Sequence, residues 1–128
     1  MTNKKIAVVM SAMTFFFMMG CYQVTTLDMR ADLITGDISF ADDVVPIFNE
    51  SCALSGCHAT GGQAPDLTAA NAFTSLSNGG YIDVTAPESS VLYEWLTGVR
   101  TPAMPLSGSD PTINAKILAW ITQGAQNN

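Results

Sequence analysis

Basic residues are scarce in this chain. Among 128 residues, 5 lysines and arginines stand against 11 aspartates and glutamates, which gives a formal net charge of −6. Nucleic-acid binding depends on lysine and arginine contacts to phosphate, so this composition argues against a nucleic-acid partner. It also leaves no polybasic patch that would bind acidic lipids.

Histidine is almost absent, since His58 is the only one in the chain. A second histidine that would form a diad or act as a general base is therefore missing, and no glycine-rich phosphate loop is present. No set of Ser, His and Asp beyond chance suggests a catalytic triad. The sequence therefore predicts a protein that is not an enzyme and has no small-molecule substrate.

A long membrane-spanning run is also missing. The apolar run from Ile6 to Met19 has 14 residues, whereas a transmembrane helix needs about 20. It follows Lys4 and Lys5 and precedes a small residue, Gly20. This order is typical of a bacterial export signal.

The junction after this run resembles the lipobox of bacterial lipoproteins, in which a cysteine becomes the lipidated first residue of the mature chain. Met18 and Met19 replace the leucine and small residue usual in that family. The resemblance implies a signal peptide over residues 1–20 and a lipid anchor on Cys21, on the periplasmic side of a bacterial membrane. A plain secretory peptide that leaves Cys21 as a free thiol is the alternative.

Loss of residues 1–20 would make the chain more acidic. Three basic residues would remain against 11 acidic ones, a formal charge of −8. Such a surface favours solubility and a docking partner with a basic face. Residues 21–38 lack periodicity and predict a spacer, so the domain would occupy residues 39–128, a length whose apolar core is marginal without help.

Apolar spacing in this domain predicts an all-α fold of about four helices with long loops. Ser39 and Asp42 form a possible capping box for the first helix, and Pro46 fits either a kinked helix from Ser39 or the first turn of a helix from Asp43. The other predicted helices cover residues 68–77, a segment capped by Ser89 or Ser90 and ended by Gly98, and a segment from Asp110 to Gly124.

The segment CALSGCH, residues 52–58, carries the histidine beside two of the three cysteines. A disulfide between Cys52 and Cys57 is reasonable in an exported protein but gives His58 no role. A copper site formed by these three side chains, with or without Met104, would suit soft ligands, provided that they converge.

Covalent haem attachment is the third interpretation of this segment. Two thiols add to the vinyl groups of a haem, and a histidine directly after the second thiol binds the iron; the usual spacing is C-x-x-C-H. Here the spacing is C-x4-C-H, so two additional residues must bulge between the cysteines. Gly56 can adopt the backbone angles that such a bulge requires.

The order of motifs across residues 39–128 resembles the class I c-type cytochrome domain, in particular short bacterial versions with an expanded spacer in the haem-binding motif. The matching segments are PIFNESCALSGCH, GGQAPDL, TPAMPLSG and INAKILAWITQGA. The resemblance implies a small cytochrome c-like fold around one haem c that is covalently attached through Cys52 and Cys57.

The same resemblance implies the two axial ligands of the haem iron. His58 would be the proximal ligand, with its ring oriented by a hydrogen bond to the carbonyl of Pro65 or its neighbourhood. Met104, in the Met-Pro of the loop before the last helix, would be the sixth ligand. Pro65 has a simpler alternative role as a turn residue.

Further residues of the haem environment follow from the resemblance. The first and last helices would cross beside the haem, with Phe48 and Trp120 packing near it, and Arg100 would approach a propionate. Ordinary core packing is the alternative for the aromatic residues, and a solvated charge is the alternative for Arg100.

A His/Met ligand pair leaves no open position on the iron and favours one-electron transfer over substrate chemistry. The sequence therefore predicts a membrane-anchored electron carrier that exchanges electrons with donor and acceptor proteins. A peroxidase or gas sensor is the alternative if Met104 can be displaced.

Overall fold

The computed structural model describes residues 34–128, and this part of the chain is helical without a β-strand. Its four α-helices are α1 (Val45–Ser51), α2 (Ala72–Asn78), α3 (Val91–Thr97) and α4 (Pro111–Thr122). The prediction of an all-α fold with about four helices is confirmed. The predicted signal, Cys21 and most of the spacer lie outside the described residues.

A wide π-helical turn, Phe40–Val44, leads directly into α1. Ser39 caps this turn, because its Oγ accepts from the Asp42 N–H at 3.2 Å, but the Ser39 N–H donates to Asp43 Oδ2 at 3.1 Å. The predicted capping box is therefore wrong in one residue: Asp43, and not Asp42, accepts from the Ser39 N–H. The wider π-helical turn places the Asp43 carboxylate beside Ser39. Pro46 lies in the first turn of α1, directly after the π-helical turn, so the helical segment that starts at Phe40 continues through the proline.

Helix α2 starts four residues later than predicted, at Ala72, and ends at Asn78. Asp66 Oδ1 accepts from both the N–H and the Oγ1–H of Thr68. The Asn71 and Ala72 N–H groups both donate to the Thr68 carbonyl, so residues 68–71 form a turn that leads into α2.

Helices α3 and α4 lie close to their predicted positions. Ser90 occupies the N-cap position of α3, as predicted, but its buried hydroxyl accepts from the Asp83 N–H at 2.9 Å and makes no capping hydrogen bond to the helix. Gly98 ends α3 with a φ of +78°. Asp110 caps α4 as predicted, since its Oδ1 accepts from the Thr112 and Ile113 N–H groups.

One apolar core joins the helices, with α4 packed against α3 and against the π-helical turn. Trp120 of α4 is completely buried, and its ring lies 5.1 Å from that of Phe40. The segment after α4 is bound to the start of the domain, because the Ala41 N–H donates to the Asn128 carbonyl at 2.9 Å and the Ile38 N–H to Gln123 Oε1 at 2.8 Å. The first and last helical segments are therefore held side by side.

None of the helices in residues 34–128 has the length and apolar character of a membrane-spanning helix.

Candidate functional site

The two cysteines and the histidine lie in a tight loop directly after α1. The His58 N–H donates to the Cys52 carbonyl at 3.1 Å, and the Cys57 N–H donates to the Leu54 carbonyl at 2.9 Å. Gly56 has a φ of +80°, a left-handed conformation that glycine adopts without steric cost. The four residues between the cysteines therefore form a compact bulge, and its base is closed by the Cys52–His58 hydrogen bond.

Both cysteines are half-buried free thiols in this structure. Burial raises the pKa of Cys52 to about 11, and the neighbouring Cys57 contributes to the same shift. The Cys52 thiol is therefore neutral at pH 7, which fits its position against the apolar core.

The His58 ring is oriented by two backbone carbonyls. Its Nδ1 lies 3.1 Å from the Pro65 oxygen and 3.2 Å from the Gln63 oxygen. A carbonyl oxygen can only accept a hydrogen bond, so Nδ1 carries the proton in this arrangement. The lone pair of the neutral ring then lies on Nε2, which is the atom available to a metal.

Close backbone packing places the Gln63 carbonyl near the ring. The Gln63 N–H donates to the Cys57 carbonyl at 2.7 Å, and the Gly62 N–H donates to the Ala59 carbonyl at 2.8 Å. A Cβ on Gly62 would overlap the Cys57 oxygen and lie 3.0 Å from the Ala59 oxygen. Glycine is therefore required at position 62 if this packing is to form.

The sequence did not point to Gln63 as an acceptor, because a backbone carbonyl has no residue signature. The adjacent pair Gly61–Gly62 is the one signal that could have indicated a close backbone approach here.

Met104 and Arg100 are attached to α3. The Met104 N–H donates to the Trp95 carbonyl at 2.9 Å, and the Met104 side chain is half-buried. The Arg100 Nε donates to Glu94 Oε2 at 2.6 Å, and its backbone N–H donates to the Glu94 carbonyl. Arg100 thus has a protein carboxylate as a partner in this structure.

Trp120 lies in the apolar core. Its indole N–H donates to the Gln126 carbonyl at 2.9 Å. Phe48 is likewise buried, and both aromatic rings pack on Phe40. Neither ring has surface that is open to solvent.

No three His, Cys, Asp or Glu side chains within residues 34–128 converge on a position for a metal ion. An open groove of about 360 Å³ lies between residues 61–66 and Tyr81. It borders the loop of residues 52–65, which we call the His58 loop.

Comparison with protein-family models, with curated proteins and with solved structures finds no match to this chain.

Proposed function

We propose that this protein is a c-type cytochrome that carries single electrons through one covalently attached haem. Cys52 and Cys57 would form the two thioether bonds, His58 would be the proximal iron ligand and Met104 the sixth ligand. The observation that carries the proposal is the orientation of the His58 ring by the Pro65 and Gln63 carbonyls.

The donor set fits this cofactor. Metal-bound histidines nearly always donate their other ring N–H to a carbonyl or carboxylate, and His58 makes such a bond while Nε2 keeps its lone pair. The two thiols need not approach the iron, because they bond to vinyl groups at the edge of the haem.

The loop geometry supports the expanded C-x4-C-H spacing. Both cysteines are unpaired, so neither thiol is consumed by a disulfide. The hydrogen bond from the His58 N–H to the Cys52 carbonyl joins the two ends of the bulge. Between them, Gly56 turns the chain in a left-handed conformation. The additional residues therefore project from the loop without separating its two ends.

When bound, the haem supplies an iron that alternates between the ferric and ferrous states. The residues of the chain would hold this centre: the loop after α1 carries the thiols and the imidazole, and α3 binds the segment that carries the Met104 thioether. If His58 and Met104 both bound the iron, no position would remain for a substrate, so this ligand pair would favour electron transfer over catalysis.

We further propose that the mature chain is exported and anchored through Cys21 on the periplasmic side of a bacterial membrane. Its formal charge of −8 without residues 1–20 favours redox donor and acceptor proteins with basic docking faces. Neither nucleic acid nor a small-molecule substrate is expected as a partner.

The test is to express the full chain with haem-attachment machinery, denature it and measure the haem absorbance that stays with the polypeptide. Wild-type protein should retain haem, and variants that carry Cys52→Ala and Cys57→Ala together should lose it. Wild-type protein without haem, made beside a control cytochrome that matures, would refute the proposal.

Further measurements separate the remaining alternatives. Bound copper found by metal analysis would indicate a copper site, and a bonded cysteine pair without metal would indicate a disulfide-stabilised module. Carbon monoxide binding to the native reduced haem protein would show that Met104 is displaceable, as a peroxidase or gas sensor requires.

A further inference from the structure

Asp66 is the centre of a hydrogen-bond cluster beside the His58 loop. Its Oδ2 accepts from Thr60 Oγ1 at 2.8 Å and from Asn71 Nδ2 at 2.9 Å. Its Oδ1 accepts from the Thr68 N–H at 3.0 Å and from Thr68 Oγ1 at 2.6 Å. We call these four residues the Asp66 clasp. The Thr68 hydrogen bonds are the main cause of a pKa of about 2 for Asp66, so the carboxylate is ionised at neutral pH.

The clasp joins the two ends of the segment that carries the acceptors of His58. Thr60 lies at the start of this segment, and Thr68 and Asn71 lie beyond its end. Residues 60–64 are exposed, and residues 61–64 border the open groove. The first deeply buried side chain after this stretch is Leu67, with 3% of its surface exposed. Hydrogen bonds, more than apolar packing, therefore hold residues 60–65 in place.

Asp66 acts directly on the peptide group that contains the Pro65 oxygen. This group joins Pro65 to Asp66, so its orientation depends on the backbone of Asp66. Two sets of hydrogen bonds hold this part of the backbone. The Leu67 N–H donates to the His58 carbonyl at 2.8 Å. The Asp66 carboxylate accepts from Thr60, Thr68 and Asn71. Together these bonds fix the oxygen that lies 3.1 Å from His58 Nδ1.

We infer that Asp66 is a positioning residue for His58, since its carboxylate fixes the Pro65 carbonyl that orients the imidazole. The inference rests on the proposed function. A firm bond from Nδ1 to a carbonyl makes the imidazole a stronger electron donor to a bound metal. A looser carbonyl should therefore raise the reduction potential of the haem, because the ferric state loses more stabilisation than the ferrous state.

The chain offers a matched control for Asp66. Asp83 has the same local pattern, since its Oδ1 accepts from the Thr85 N–H at 2.8 Å and from Thr85 Oγ1 at 2.6 Å. Hydrogen bonding lowers the pKa of Asp83 as well. This second turn lies before α3, and its carboxylate bonds stay within residues 83–86.

The experiment uses full-length matured protein with the variants Asp66→Ala and Thr60→Val and the controls Asp83→Ala and Thr85→Val. Thr60 is exposed, and Thr60→Val removes one donor to Asp66 without altering side-chain shape, so this variant is informative even if Asp66→Ala does not fold. Two quantities are measured: the reduction potential, and the solvent-exchange rate of the His58 Nδ1 proton by NMR.

Covalent haem is assayed first in the wild type, and its absence would refute the proposed function and this inference with it. If haem is retained, Asp66→Ala and Thr60→Val should raise the reduction potential. They should also speed proton exchange at Nδ1, roughly fivefold for Asp66→Ala, as expected when one ordinary hydrogen bond is weakened. Both controls should match the wild type.

Two results would overturn the inference while leaving the proposed function intact. One is a reduction potential and an exchange rate in Asp66→Ala, or in Thr60→Val if Asp66→Ala does not fold, that equal the wild-type values. The other is an equal change in Asp83→Ala, which would mean that loss of any such turn loosens the domain. A merely structural role for Asp66 would lower the unfolding temperature without moving either quantity.

Discussion

The substitution Gly62→Ala tests how the His58 loop is built. An alanine Cβ at this position would overlap the Cys57 carbonyl oxygen and lie 3.2 Å from the Cys57 carbonyl carbon. Both are backbone atoms, so no side-chain rotation can relieve the overlap. Residue 62 must instead move away from Cys57. This movement lengthens the 2.7 Å hydrogen bond from the Gln63 N–H to the Cys57 carbonyl oxygen.

The expected cost follows from these two effects. Overpacking of a well-packed site costs about 1–3 kcal/mol, and a weakened backbone hydrogen bond costs about 1 kcal/mol. These two effects are not independent, because the movement that relieves the steric clash also weakens the hydrogen bond. We therefore expect a loss of about 2–3 kcal/mol in the free energy of unfolding. For a domain of this size such a loss lowers the unfolding temperature by roughly 10–20 °C.

Two other glycines separate this effect from a general glycine effect. Gly36 has nothing within 4 Å of an added Cβ and no left-handed backbone, so Gly36→Ala should change stability by less than about 0.5 kcal/mol. Gly61 has open space but a φ of +82°, so Gly61→Ala should cost about 1–2 kcal/mol from backbone strain alone.

Thermal unfolding of the matured full-length variants, followed by circular dichroism, should therefore rank them with Gly36→Ala most stable and Gly62→Ala least stable. Gly62→Ala should also speed exchange of the His58 Nδ1 proton, because the Gln63 carbonyl moves with residue 62. A Gly62→Ala protein as stable as Gly36→Ala would refute the close backbone approach described above.

Three further predictions concern the ligands and the titrating groups. Met104→Ala should leave haem attached but lower its reduction potential by a substantial part of the roughly 0.8 V that axial ligands span, measured by redox titration. Asp66 has a pKa lowered to about 2 from 3.8, so it stabilises the fold above pH 4 and this contribution is lost as pH falls through 2. The gap in unfolding temperature between wild type and Asp66→Asn should therefore narrow from pH 5 to pH 2. In the reduced haem-free chain, Cys52 has a pKa raised from 9.0 to about 11, so iodoacetamide should modify it at pH 8 about 100-fold more slowly than in urea.

Each of these predictions has a contrary result. An unchanged ferric spectrum in Met104→Ala would show that Met104 does not bind the iron. A temperature gap that stays constant between pH 5 and pH 2 would mean that the Asp66 charge contributes nothing to stability. Equal modification rates of Cys52 with and without urea would mean that its thiol is not buried in the haem-free chain.

Helix positions were predictable from the sequence where the signals are local. Asp110, Pro111 and the apolar face of α4 predict its start, and Gly98 predicts the end of α3. Prediction was wrong where a side chain had two possible partners. The Ser90 hydroxyl accepts from the Asp83 N–H instead of bonding to the first turn of α3. The Asp66 carboxylate accepts from the Thr68 N–H, in a segment that was predicted to be helical. Local patterns do not show which of two nearby acceptors or donors a polar group will reach.

The sequence by itself placed Cys52, Cys57 and His58 in one loop, because residues so close in the chain cannot lie far apart. It also named Pro65 as the carbonyl near the His58 ring, although only through a family resemblance. Tertiary structure decided the rest: the Gln63 acceptor and the need for glycine at position 62 arise from backbone atoms that approach across the loop. Only the folded chain brings such atoms together. Because backbone groups are the same in every residue, a glycine pair can indicate a close approach, but the sequence does not show which backbone atoms meet.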